Sequence, residues 1–154
     1  MTRPGPQLAL LLLASYRKLA DSAQRELAER GHPDFRSSLH YAMSAIDRGA
    51  GTASELGRAL SISKQAAAKT IAVLVDRGYV SVDHDPADAR RRSLHVTDLG
   101  HKVTMEGEAI FDTLRNQWAE RIGPDALDLL ETQLSEFVGE DGVRLDAPGA
   151  AFGA

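Results

Sequence analysis

A short polar face on one predicted helix carries the residue types that read DNA bases. Residues 64–77 are expected to form this helix, and Lys64, Gln65 and Lys69 fall on the same side of it with only small side chains between them. In the major groove, Gln hydrogen-bonds to adenine edges, Lys binds guanine or phosphate, and alanine methyl groups contact thymine methyl groups. The pattern therefore favours a helix that lies in the major groove. Its predicted DNA contacts are Ser63, Lys64, Gln65, Ala68 and Lys69.

Three consecutive arginines follow a predicted turn between two short strands. The strands are expected at residues 79–82 and 94–96, and Asp85-Pro86 begins the turn because Pro fixes φ and Asp can bond the backbone ahead of it. An Arg at or just past the tip of such a ribbon can enter a narrow minor groove, where the negative potential is enhanced. The predicted contacts here are Arg90 to the minor groove, Asp88 as the carboxylate that orients Arg90, and Arg91 and Arg92 to phosphate.

Helix signals around these residues predict the element that positions them. Ser63 is a favourable N-cap and Gly78 a favourable C-terminal stop for the helix at 64–77. Thr52-Ala53-Ser54-Glu55 predicts a capping box that opens a short preceding helix at 53–59. Two helices joined by a tight turn, followed by a β-ribbon, make a winged helix-turn-helix. The residues expected to face the core are Ile62, Ala67, Ile71 and Leu74.

Long helices are predicted on both sides of this unit, at residues 7–30 and 98–121, with shorter ones at 34–48 and 125–138. Leu occupies most faces at the start of the first helix, which in a chain this small indicates burial against a partner subunit. The expected fold is mainly α with a small β-wing, as one 154-residue domain. Its predicted parts are a winged lobe at 34–97, dimerisation helices at 7–31 and 98–139, a flexible tail at 140–154 and a disordered or arm-like start at 1–6.

The motifs between residues 63 and 100 resemble those of the multiple antibiotic resistance regulator (MarR) family. The resemblance rests on the run SKQAAAK…LVDRGYV, on Asp88-x-Arg90 in the wing and on Thr97-x-x-Gly100 at the exit from the wing into a helix. It implies a cytoplasmic homodimer that binds double-stranded DNA at a pseudo-palindromic operator, with half-sites about one helical turn apart. It also implies a repressor that is relieved by a small ligand.

The family resemblance further implies a crevice for an aromatic or phenolic anion between the dimerisation helices and the winged lobe. An aromatic lining with a cationic side chain would suit an anionic ring. Ordinary core packing is an equally simple explanation for some of these side chains. The residues expected near the crevice are Tyr16, Arg17, His40, Tyr41 and Met43.

The composition supports a soluble DNA-binding protein that is not an enzyme. The net charge is −4, yet residues 58–102 carry eight Lys/Arg and five Asp/Glu, a net of +3, against ten and seventeen, a net of −7, elsewhere. No cysteine is present, which excludes disulfides and thiol redox sensing by this chain. No phosphate loop or zinc motif occurs, so no cofactor or metal is predicted. The apolar run at residues 8–14 is too short to span a membrane.

Three other functions stay open at this point. A winged helix can bind an acidic protein instead of DNA. A small hydrolase using His40 and Asp47 is conceivable, although no nucleophile accompanies them. A metal-responsive regulator would use histidines and carboxylates in or near the wing. The residues concerned are His84, His95 and His101, with Asp83, Asp85 and Asp88.

Overall fold

The computed structural model describes residues 3–139, apart from the side chains of Asp85 and residues 88–92. Within that part of the chain, six helices and a two-stranded antiparallel sheet confirm the predicted fold class. The predicted tail at 140–154 and residues 1–2 of the predicted disordered or arm-like start lie outside the described residues, whereas residues 4–6 of that start are helical, which corrects the prediction for them. The elements are α1 (Pro4–Glu29), α2 (Ser37–Asp47), α3 (Ala53–Leu60), α4 (Lys64–Asp76), β1 (Val80–Asp85), β2 (Asp88–Val96), α5 (Asp98–Ile122) and α6 (Pro124–Val138).

The corner between α3 and α4 is tight because of one glycine and one left-handed residue. Ser61 ends α3 at φ 53°, and the chain then passes directly over Gly57. A Cβ on Gly57 would lie 2.9 Å from the carbonyl oxygen of Ile62, so only glycine fits without displacement of the turn. The Ser63 hydroxyl accepts from the Ala66 N–H at 3.0 Å, as predicted for the N-cap of α4.

The predicted capping box at α3 is only half formed in the expected way. The Thr52 hydroxyl accepts from the Glu55 N–H at 3.1 Å, as expected. The Glu55 carboxylate, however, accepts from the N–H of Gly51 at 2.7 Å rather than from that of Thr52. The glutamate side chain reaches one residue further back and still satisfies a backbone donor that precedes the helix.

The β-ribbon is longer than the sequence predicted. The turn occupies residues 86–87, and β2 begins immediately after it, so the arginines lie within a strand rather than at or beyond the tip. Arg92 pairs with His84, whereas the next pair is Asp85 with Asp88, which leaves an irregularity in the register. Such an irregularity bends a ribbon and re-aims the residues near it.

A compact joint connects the ribbon to α5. The Thr97 hydroxyl donates to the Gly78 carbonyl at 2.6 Å and accepts from the Gly100 N–H at 3.1 Å, while the Thr97 N–H donates to the Tyr79 carbonyl at 3.0 Å. A Cβ on Gly100 would lie 2.2 Å from that same Tyr79 oxygen and 2.7 Å from Val96. Glycine is therefore needed at position 100, because the first turn of α5 packs directly against the backbone of Tyr79. Thr97 joins the two by hydrogen bonds.

A buried polar chain lies beside this joint. His32 is 8% exposed, its Nδ1 is 3.1 Å from the Tyr79 hydroxyl, and its Nε2 is 3.2 Å from a Glu106 carboxylate oxygen. The chain thus ties the segment after α1 to the start of the ribbon and to α5. Phe35 packs edge-on against the same tyrosine ring at 5.6 Å.

The terminal helices α1, α5 and α6 form a second layer against the winged lobe. α1 packs on α5, and α5 packs on α6. Arg115 joins the last two helices, since its guanidinium donates to Asp128 at 2.8 Å and to Glu131 at 2.6 Å. No described helix is both long enough and apolar enough to cross a membrane.

Candidate nucleic-acid interface

α4 presents its polar face to solvent and its apolar face to the core. Ala67 and Leu74 are fully buried, and Ile62 and Ile71 pack partly buried against the same core, as the helical spacing predicted. The opposite face is open along the first half of the helix. The five residues predicted to contact DNA from this helix are all exposed: Ser63, Lys64, Gln65, Ala68 and Lys69.

The wing lies next to this helix, but its predicted contacts are described only by their backbone. Asp88, Arg90, Arg91 and Arg92 all belong to β2. Their side chains lie outside the described residues, so the structure leaves the predicted pairing of Asp88 with Arg90 as a prediction. The inner face of the ribbon carries Leu94, which is buried in the core.

The histidines considered for a metal site are separated by the ribbon geometry. Opposite residues in the register share a face, so His95, opposite Ser81, and His84, opposite Arg92, lie on different faces. The His95 Nε2 is 3.1 Å from an Asp83 oxygen, whereas His101 pairs with Asp47 at 3.7 Å. Within the described part of the chain, no three His, Cys, Asp or Glu side chains are placed to hold a metal ion.

A cavity of about 270 Å³ lies between α1, α2 and α5. It occupies the position expected for the ligand crevice, because two of its walls are terminal helices and the third is the first helix of the winged lobe. Tyr16, His40 and Tyr41 line it, as expected. Arg17 is not among its lining residues.

Met43 belongs to the core rather than to the cavity, which corrects the sequence expectation. Its side chain is 1% exposed and does not line the cavity. Residues 37, 40 and 41 follow one helical stripe of α2 toward the cavity, while residues 39, 42, 43 and 46 follow another toward the core. The two stripes share one helix and cannot be separated by residue type alone.

The cavity also contains acidic residues that the sequence reasoning missed. Glu108 and Asp112 come from α5, one helical turn apart, and Phe111 lies between them. Spacing could have grouped these three with Gly107 on one face, but only the packing of α5 against α1 shows that this face meets Tyr16. No Lys or Arg is found among the lining residues in the described part of the chain.

Burial favours the neutral forms of two titratable groups in the cavity wall, His40 and Tyr41. Desolvation lowers the pKa of His40, and the nearby Glu108 carboxylate opposes this shift without cancelling it. Desolvation also raises the pKa of the Tyr41 phenol, with a further contribution from Tyr16. His40 is therefore a neutral imidazole at neutral pH and supplies no positive charge to the cavity.

The lowered pKa of His40 predicts acid sensitivity. An unfolded chain binds a proton on His40 below pH about 6.5, whereas the folded chain resists it, so this contribution to stability is present above that pH and is lost as the pH falls through the folded-state pKa. Between pH 7.5 and pH 5, we expect the melting temperature of His40→Gln to fall less than that of the unaltered chain. The difference between the two falls should be on the order of 1–2 °C. Thermal unfolding across pH checks this. An equally steep decline in His40→Gln and in the unaltered chain would contradict the prediction.

The sequence of this chain is similar to those of known transcriptional regulators. A model of the MarR family matches residues 40–91, from within α2 to Arg91 of β2. The chain is 28% identical over 118 residues to the transcriptional regulator HosA of Escherichia coli O111:H-, covering 75% of this chain and 87% of that protein.

Solved structures share the fold over most of the chain. FabT of Streptococcus pneumoniae in complex with DNA superposes with a TM-score of 0.68 at 13% identity, covering 86% of this chain and 93% of that one. A MarR-family transcriptional regulator from Rhodococcus sp. RHA1 superposes with a TM-score of 0.64 at 15% identity, covering 91% and 99%. At these identities, the likeness is one of fold.

Proposed function

Since this chain is a winged-helix transcriptional regulator of the MarR family, we propose that it binds double-stranded DNA in the cytoplasm as a homodimer and represses transcription until a small ligand releases it. The family and the relatives are transcriptional regulators, so the prediction that the chain is not an enzyme is confirmed. The observation that carries the DNA-binding proposal is the open polar face of α4.

The shape of that face supports insertion into a major groove. An α-helix fits the groove only if its outward side chains are small or themselves contact the base edges. On α4, Ala66 and Ala68 keep the surface low between Lys64, Gln65 and Lys69. Gln65 and Lys69 are then placed to contact base edges, and Lys64 to contact base edges or phosphate.

The distribution of exposed apolar side chains supports a homodimer. Leu8, Leu10 and Leu11 of α1 are 57–61% exposed, and Leu129 and Phe137 of α6 are 61% and 83% exposed. Large exposed apolar groups concentrated on two helices of a small protein mark an interaction site. A two-fold dimer through these helices would place two winged lobes on a pseudo-palindromic operator.

The cavity supports regulation by a ligand, because its walls belong to both layers. A ligand that separates α2 from α1 and α5 would tilt the winged lobe relative to the dimerisation helices. Two recognition helices held at a changed distance no longer fit successive major grooves. By linkage, DNA would weaken binding of the ligand by the same factor.

Fluorescence anisotropy tests the DNA proposal. The full chain is titrated onto labelled DNA from upstream of its own coding sequence and onto a scrambled duplex, at several salt concentrations. We expect tight binding to the upstream duplex, one dimer per site, with a steep fall in affinity as salt rises. Weak binding of equal strength on both duplexes would contradict the proposal and direct the search to a protein partner.

Arg90→Ala is expected to weaken binding to the upstream duplex by about 5- to 100-fold, the range for loss of one specific DNA contact. The loss should be larger for DNA with a narrow, A·T-rich minor groove at the wing position. Anisotropy on duplexes that differ only at that position measures the effect. Arg25→Ala removes an equal charge from α1 and should leave the affinity unchanged; unaltered affinity in Arg90→Ala would refute the minor-groove assignment.

A further inference from the structure

We propose that the cavity between α1, α2 and α5 selects an organic cation with an aromatic or apolar body rather than a phenolic anion. The inference rests on the proposed function, since it names the ligand class of the same regulatory site. It reverses the charge that the family resemblance implied for the ligand.

The charged groups of the cavity favour a cationic ligand. Glu108 and Asp112 stand four residues apart on α5, so both carboxylates project toward the same side of that helix and line the same space. Both residues are exposed at the residue level, which places the charges at the mouth rather than in the floor. A cation entering there is attracted by two carboxylates, while an anion is repelled by both.

The lack of a compensating cation is the second argument. The lining residues in the described part of the chain include no Lys or Arg, and Arg17, the cation expected here, is not one of them. His40 is held neutral by burial, as its lowered pKa indicates. An anionic ring in this cavity would therefore lose its hydration without gaining a charged partner, which is costly.

The aromatic lining is the third argument. Tyr16, Phe35, Tyr41 and Phe111 present rings to the cavity, and His40 and Tyr41 pack edge-on with centroids 5.9 Å apart. Aromatic faces attract cations, and more strongly when the site is partly desolvated. The phenol of Tyr41 is protonated at neutral pH, and burial raises its pKa further, so its ring carries no charge.

The volume limits the size of the ligand. A cavity of about 270 Å³ lies at the lower end of small-molecule sites, and it suits one substituted ring rather than a large multi-ring compound. Benzyltrimethylammonium and phenylacetate are suitable probes, because each carries one ring and one charge and the two charges are opposite.

Isothermal titration calorimetry of the full chain with each probe tests the proposal. We expect saturable binding of benzyltrimethylammonium and at least tenfold weaker binding of phenylacetate. The double variant Glu108→Gln with Asp112→Asn should lose about tenfold or more in affinity for the cation, and its preference over phenylacetate should shrink or reverse. Glu120→Gln removes one negative charge from the same helix, about 12 Å along its axis from Asp112 and about 18 Å from Glu108, and should leave both affinities unchanged.

Tighter binding of phenylacetate than of the cation by the unaltered chain would overturn the proposal. So would binding of neither probe, or an unchanged cation affinity in the double variant. Anisotropy on the upstream duplex without probes separates this failure from that of the proposed function. A chain that binds the duplex specifically but not the cation refutes the ligand class alone, whereas a chain that does not bind the duplex refutes the regulator.

Discussion

A Gly100→Ala variant is expected to lose about 3 kcal/mol of unfolding free energy, which corresponds to a melting temperature lower by about 6–12 °C. The added methyl group would lie 2.2 Å from the Tyr79 carbonyl oxygen, and backbone cannot yield as a side-chain end does. To make room, α5 must move away from the ribbon, which lengthens the hydrogen bonds of Thr97 to Gly78 and Tyr79. Thermal or urea unfolding measures the loss.

Gly107→Ala provides a matched control on the same helix. Gly107 is also buried, but its added methyl group would meet only a Leu27 methyl at 3.8 Å, an ordinary contact. Alanine is favoured over glycine within a helix by about 0.5–1 kcal/mol, so this variant should be as stable as the unaltered chain or slightly more so. Equal stability of the two variants would show that the joint at Gly100 is looser than its geometry indicates.

An Ala68→Glu variant is expected to bind the upstream duplex at least about 100-fold more weakly, with little change in stability. Ala68 is exposed on the polar face of α4, so a longer side chain there meets solvent in the free protein. In the proposed complex it would crowd the base edges, and the phosphates would repel its charge, which costs several kcal/mol. Anisotropy gives the affinity, and thermal unfolding gives the stability.

Ala28→Glu makes the same chemical change at an exposed position of α1, away from α4. It should leave DNA affinity within about threefold of the unaltered chain, since it alters only the net charge. If Ala68→Glu and Ala28→Glu weaken DNA binding equally, then α4 is not the helix that enters the groove.

Local signals in the sequence predicted the elements that position the candidate interface. Ser63 and Thr97 cap the helices expected of them, because an N-cap is decided within four residues of chain. Ala67 and Leu74 are buried as predicted, because helical periodicity records which face meets the core. These features need no knowledge of the rest of the fold.

Features that depend on distant parts of the chain were not predicted. The ribbon extends beyond the alternating apolar residues, since main-chain pairing continues where side chains no longer signal it. The cavity is lined by Glu108 of α5, Tyr16 of α1 and His40 of α2, which are far apart in the sequence. Each residue alone resembles an ordinary surface or core residue, and only tertiary packing brings them together.

The hydrogen bonds of Thr97 hold the C-terminal end of α4 at the start of α5, so α4 can tilt only about that end. Gly78 and Tyr79 follow directly from the C-terminal end of α4 and are bonded to Thr97, so a tilt of α4 relative to α5 turns about that end. The 13 residues of α4 span about 20 Å. A tilt of about 10° would therefore carry Lys64 through about 3.5 Å, which is about the rise from one base pair to the next. A small opening of the cavity would thus move the N-terminal end of α4 by about one base-pair step, and Lys69, which lies nearer the fixed end, by less.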